Sequence, residues 1–135
     1  MRQTRLSSDS AIDSLTLALR RFAQERDWEQ FHSPKNLAAA LTVEAAELLE
    51  HFQWLTEEQS RNLPEGKRLA VSHEIADVLL YLLQIADKLQ IDIVAAANEK
   101  LALNGARYPA AQARGSSARS DELRRAQEEA NGGPS

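Results

Sequence analysis

Four carboxylates are spaced where they can act together. Glu44 and Glu47 lie three residues apart, as do Glu74 and Asp77, within two long stretches that read as helices. Residues three apart project from one helix face. At about 100° per residue each pair falls at the border of an apolar stripe, one beside Leu41 and the other beside Ile75–Leu82. If the two helices pack antiparallel through those stripes, the acid pairs face each other across the seam. Uncompensated, such acids repel and raise one another's pKa. A divalent cation removes the conflict, and hard oxygen ligands suit Mg2+ or Mn2+, which keep coordination sites for water and phosphate. The same acids can instead line a solvated edge, because glutamate is a good helix former and a single E-x-x-E pair is common on exposed faces.

The elements that would carry these residues are helical. Ile12, Leu15, Leu19 and Phe22 recur at the 3.6-residue period and predict a first helix from about Ser8 to Arg26. The run DWEQFHSP, Asp27 to Pro34, breaks that pattern. Ser33 can then cap a second helix with Pro34 at its first position. Leu37, Leu41, Ala45, Leu48 and Phe52 extend this helix to about Trp54. A polar connection from Thr56 to Gly66 leads to a third helix, Lys67 to about Gln90, apolar around more than half its circumference. Such a helix is central, or lies at a subunit interface as well as in the core. Asp92 can cap a fourth helix ending near Asn104. The fold class expected is all-α, an antiparallel helical bundle of about four helices.

Composition narrows the classes further. The 135 residues suffice for one domain with a core. Before residue 105 the only glycines and prolines are Pro34, Pro64 and Gly66, too few turn signals for a β-sandwich or barrel. The absence of cysteine excludes disulfides, thiolate metal sites and cysteine nucleophiles. A net charge of −4 argues against a nucleic acid polymer as partner. No uninterrupted apolar run approaches the roughly 18 residues of a membrane span, and Met1 to Ser10 lacks a signal-peptide pattern. A cytoplasmic location with no membrane partner is expected. Residues 8–109 form the expected domain, and 110–135, small, polar and charged, are expected as a flexible tail with at most a transient helix.

Longer strings turn these patterns into a resemblance. E44-A-A-E47 followed by E74-I-A-D77 resembles the signature of MazG-like all-α nucleoside triphosphate pyrophosphohydrolases. FAQERDWEQFHSPKNLA (22–38), ELLEHFQW (47–54), EIADVLLYLL (74–83) and EKLALNGARYP (99–109) are similar to the dCTP pyrophosphatase branch. The resemblance spans about Ile12 to Pro109. It implies a bundle that assembles as a homodimer or homotetramer, with Glu44, Glu47, Glu74 and Asp77 as the catalytic metal-binding acids and Mg2+ as cofactor. It implies hydrolysis of a (deoxy)nucleoside triphosphate, dCTP or a modified pyrimidine relative, to monophosphate and pyrophosphate. One carboxylate can serve as general base in place of binding metal. Many relatives carry a further Glu where this chain has Val43, which lowers the acid count, and Glu50 is expected to be solvated.

Two clusters offer groups for the nucleotide. Trp28, Phe31, His32, Lys35 and Asn36 gather at the start of the second helix, where free N–H groups favour phosphate. Trp28 offers a face for stacking a base. With the resemblance, His32 and Asn36 are expected on the nucleotide and Phe31 in packing. Trp54 and Tyr81 fall seven residues after Glu47 and Glu74 and can frame a base pocket; either can equally be core. Lys100, Asn104 and Arg107 share a face beside Tyr108, a donor set for the β- and γ-phosphates or an ordinary basic surface. His51 and His73 are expected to be structural or exposed.

Other readings remain. A non-catalytic helical oligomerisation or adaptor protein would leave the acids solvated and use the apolar third helix as a seam. A di-iron carboxylate bundle normally needs E-x-x-H pairs, which these acid motifs lack.

Overall fold

A computed structural model describes residues 8–132, and among them the chain forms helices and no strands. Helix α1 spans Ser8–Glu25, α2 Pro34–Glu50, α3 Glu57–Arg61, α4 Glu65–Lys88, α5 Ile93–Arg107, α6 Ala110–Ala113 and α7 Ser120–Asn131. The all-α expectation is met, and four of these helices match the expected ones to within a few residues. Two departures stand out. The second helix ends at Glu50, short of Trp54, and the polar connection contains α3, held by a capping box between Thr56 and Gln59. The stretch expected as a tail carries α6 and α7, the latter with an acidic first turn of Asp121 and Glu122 that suits a helix N-terminus.

The described residues divide into two compact units, one ending at Ile93 and the other beginning at Val94. In the first unit α4 packs against both α2 and α1. Local chemistry sets the helix ends. Ser33 Oγ accepts from the Asn36 N–H at 3.1 Å, with Pro34 opening α2, as the sequence implies. Asp27 and Gln90 adopt left-handed backbone (φ 52° and 57°) just beyond α1 and α4. The following N–H groups reach back, Trp28 to the Ala23 carbonyl at 2.9 Å and Ile91 to that of Ala86 at 2.8 Å. Asp27 is a tolerable residue there because short polar side chains visit that region. Its carbonyl and carboxylate both accept from the Gln30 side-chain amide.

The core is small for a bundle. Among the described residues Ala23, Leu37, Val71, Leu83 and Ala86 are the buried apolar ones, and only Leu37 and Leu83 are fully enclosed large side chains. Ile75, Leu79 and Leu82, spaced four and three apart on one face of α4, stay open to solvent in the single chain. Phe31, expected in packing, is 60% exposed, because the short 3-10 turn Glu29–Phe31 carries it outside the helix contacts. By length and mean hydropathy α4 is long and apolar enough to cross a membrane, although it contains no uninterrupted apolar run of that length. An average tolerates acids such as Glu74 and Asp77 within the helix. Its packing on α1 and α2 makes it the central helix of this unit.

One ion pair ties α1 to α4. Arg20 donates from Nε to Asp87 Oδ2 at 2.8 Å and from Nη2 to the other carboxylate oxygen. The Arg20 hydrogen bond holds the Asp87 carboxyl below its ordinary range, against the opposing effect of partial burial. Arg20→Ala is expected to lower stability by about 1 kcal/mol, the size of a well-formed but half-exposed pair. The pair's contribution is present above the ordinary carboxylate pKa and is lost as pH falls through the depressed one. Denaturant titrations of both proteins at pH 7 and pH 3 should therefore show a smaller difference at the lower pH. Leu83→Ala, which empties an enclosed site, should cost about 2–5 kcal/mol in the same titration.

Candidate active site

Glu44 on α2 and Glu74 and Asp77 on α4 converge. Each offers an oxygen, and the three oxygens lie within 4.8 Å of one another. Glu44 Oε2 and Glu74 Oε2 are shielded from solvent and have no hydrogen-bond partner. Two carboxylate oxygens cannot satisfy each other, since both only accept; a shared proton or a cation must lie between them. Burial is the largest reason that the Glu44 carboxyl is pushed up to about 7, followed by the charge of Glu47, the closeness of the Glu74 and Glu47 carboxylates, which favours a proton on Glu44, and the charge of Asp77. Glu47 thus stands beside Glu44 but outside the close trio. The donor set fits a hard divalent cation: oxygen only, negatively charged, partly desolvated and short of donors.

Two of the trio line a cleft of about 430 Å³ among α1, α2 and α4. Glu44 and Asp77 stand at it, and its apolar wall includes Leu15, Leu19 and Phe22 from α1, which explains why Leu15 and Phe22 remain exposed in a helix that otherwise packs on α4. Phe22 is gripped between Arg26, whose guanidinium lies 3.6 Å from its ring centroid, and Trp28, edge-on at 5.7 Å. Trp28 in turn meets His32 edge-on at 6.4 Å, so a fixed aromatic run borders the cleft. Tyr81 lines it from α4; partial burial, then the charges of Glu44, Asp77 and Glu47, raise its hydroxyl pKa and keep it protonated as a donor.

The expected nucleotide residues are distributed unevenly. Trp28, His32 and Tyr81 line the cleft. Lys35 and Asn36 do not; the Asn36 side-chain amide donates to the Phe31 carbonyl at 3.0 Å and holds the turn before α2. Trp54 is 86% exposed, and because α2 has already ended it does not continue the helical line of Glu47. Lys100, Asn104 and Arg107 lie on α5, within the second unit apart from its first residue, where the Tyr108 N–H donates to the Asn104 carbonyl at 2.8 Å and the Arg107 guanidinium stands 5.9 Å from the Tyr108 ring. Glu50, His51 and His73 are absent from the cleft lining. Gln84 and Leu80 line it and were not singled out from the sequence. Gln84 follows Asp77 by seven and Tyr81 by three, so the helical spacing that paired the acids could have found it.

An acid trio opening on an aromatic-walled cleft within a helical bundle defines a candidate phosphate-handling metal site, and the comparisons are specific. The MazG-like family model matches residues 39–123, running past Pro109 into the stretch expected as a tail. dCTP pyrophosphatase 1 of Homo sapiens is 40% identical over 121 residues, covering 87% of this chain and 70% of that protein. The Mus musculus protein of the same name is 39% identical over 126 residues, covering 92% and 74%. The crystal structure of a pyrophosphatase from Archaeoglobus fulgidus DSM 4304 superposes with a TM-score of 0.71 at 35% identity, covering 81% of this chain and 98% of that one. The chain belongs to the MazG-like family.

The raised Glu44 pKa has a sign that can be tested. The folded chain retains a proton that the unfolded chain releases between pH 4.5 and about 7, so stability falls as pH rises through that interval. Without divalent cations, the melting temperature should be lower at pH 8 than at pH 5.5. Glu44→Gln should flatten much of that slope and match or exceed wild type at pH 8. Saturating Mg2+ should restore the wild-type loss and release protons near pH 7, read by calorimetry in buffers of different ionisation enthalpy.

Proposed function

We propose that this protein is a Mg2+-dependent nucleoside triphosphate pyrophosphohydrolase, acting on dCTP or a modified pyrimidine deoxynucleotide in the cytoplasm, with Mn2+ as a possible substitute metal. The observation that carries the reading is the pair of solvent-shielded, partnerless oxygens of Glu44 and Glu74, gathered with Asp77 where Glu44 and Asp77 line a cleft walled by Trp28, Phe22 and Tyr81. A solvated adaptor face would leave those oxygens in water. Membership of the family and the names of the dCTP pyrophosphatase relatives point the same way.

Phosphoryl chemistry of this class asks for charge neutralisation and positioning more than covalent participation. Glu44, Glu74 and Asp77 are the residues that would hold Mg2+, which supplies neutralisation of triphosphate charge and acidifies water when bound. Glu47, outside the trio, is left to orient the attacking water and take its proton. Water attacks the α-phosphorus, the bond to the bridging oxygen breaks, and pyrophosphate leaves. Trp28 gives the base a flat surface, and His32 and the Tyr81 hydroxyl give donors beside it. The roles of Lys35, Asn36, Trp54, Lys100, Asn104, Arg107 and Tyr108 toward the nucleotide are carried by the resemblance alone. The open stripe Ile75, Leu79 and Leu82 supports assembly as a homodimer or homotetramer, which would cover an apolar face the single chain leaves wet.

With Mg2+ and a panel of nucleoside triphosphates, the protein should release pyrophosphate and monophosphate rather than orthophosphate, fastest with deoxycytidine triphosphates. Glu74→Gln and Asp77→Asn should each lower kcat/KM on the order of 100-fold or more with the melting temperature held or raised. Orthophosphate as the sole product, or near wild-type rates in both variants, would defeat the reading.

A further inference from the structure

The acids serve the triphosphate end of the cleft and the aromatic run serves the faces of a base, but a base also has a polar edge. An exocyclic amine and its neighbouring ring nitrogen, enclosed against Leu15, Leu19 and Leu80 with nothing to bond, would each lose a hydrogen bond to water. Among the cleft residues Gln84 is the one carboxamide, with an acceptor and two donors in a single plane. That pattern is the one by which amide side chains read an amine beside a ring nitrogen.

Its position suits the task. Gln84 lies seven residues beyond Asp77 on the same face of α4, about 10 Å further along the helix axis. That displacement resembles the length of a nucleoside measured from its 5′-phosphate to the far edge of its base. Gln84 is half-buried, and its carboxamide makes no hydrogen bond among the described residues. The amides of Gln30, Gln59 and Gln90, by contrast, are engaged with backbone groups. Gln84 also borders a void of about 20 Å³ that Arg20 and Asp87 help to line. The ion pair between those residues braces α4 against α1 one turn beyond the carboxamide.

We propose that Gln84 hydrogen-bonds the Watson–Crick edge of the bound base, Oε1 accepting from the exocyclic amine and Nε2 donating to the adjacent ring nitrogen, and thereby sets base preference. The proposal rests on the pyrophosphohydrolase reading above.

The test compares wild type and Gln84→Met, with Mg2+, on dCTP and on the analogue whose base is pyrimidin-2-one and lacks the 4-amino group. Wild type should show a KM roughly tenfold lower for dCTP than for the analogue. Gln84→Met should raise the dCTP value about tenfold and the analogue value about threefold or less, with kcat for both nearly unchanged. A purely structural role would raise both KM values equally, and that result overturns the proposal, as does an unchanged KM for dCTP. If the methionine variant fails to fold, Gln84→Leu, which likewise removes both the acceptor and the donor, takes its place and should show the same selective loss. Absence of pyrophosphate release by wild type from every nucleotide would sink the enzymatic reading and this proposal with it. Normal dCTP turnover by wild type with an indifferent Gln84→Met would sink this proposal alone.

Discussion

Two glutamate oxygens shielded from water, with no donor between them, impose a constraint that the rest of the first unit must accommodate. Carboxylates held that close oppose folding unless one keeps its proton or a cation intervenes. The burial that lifts Glu44 toward neutrality is therefore part of the same conflict that a hard cation would relieve. Packing of α2 on α4 holds the acids together. Because one partner of the conflict comes from each helix, cation binding and helix–helix packing are coupled, and the metal would act on stability as well as on chemistry.

The modest core follows from how α4 is used. One face carries Asp77, Tyr81 and Gln84 toward the cleft, another carries Leu83 and Ala86 into the interior, and a third exposes Ile75, Leu79 and Leu82. A helix serving three faces cannot be enclosed by two neighbours. The side of α1 that borders the cleft is likewise apolar but open, since Leu15 and Phe22 wall a space rather than fill one. The exposure of these residues belongs to the site's construction. Around them the edge contacts of Phe22, Trp28 and His32 and the Arg20–Asp87 pair restrain the walls without closing the cleft.

Much was legible in the residues before any coordinates. Period-3.6 apolar spacing, the Ser33–Pro34 start signal and the scarcity of glycine and proline are local properties, and local backbone physics turns them directly into helices. The pairing of Glu44 with Glu47 and of Glu74 with Asp77 is also local, because a helix places residues three apart on one face whatever surrounds it. Less legible were features that depend on a balance of weak effects: the end of α2 at Glu50 instead of Trp54, the short α3, and the helices α6 and α7 in a polar stretch.

Tertiary packing alone decided which residues meet. It brought Glu44 across to Glu74 and Asp77 while leaving Glu47 at the side, and it pressed two oxygens out of solvent, which no spacing rule supplies. It also turned Gln84, an unremarked amide in an apolar run, toward the cleft, and left Trp54 in water. The division has a physical cause. Helical periodicity determines the direction of a side chain about its own axis, but desolvation and electrostatic coupling depend on the angle and offset between separate helices. Those are set by contacts among residues far apart in the chain.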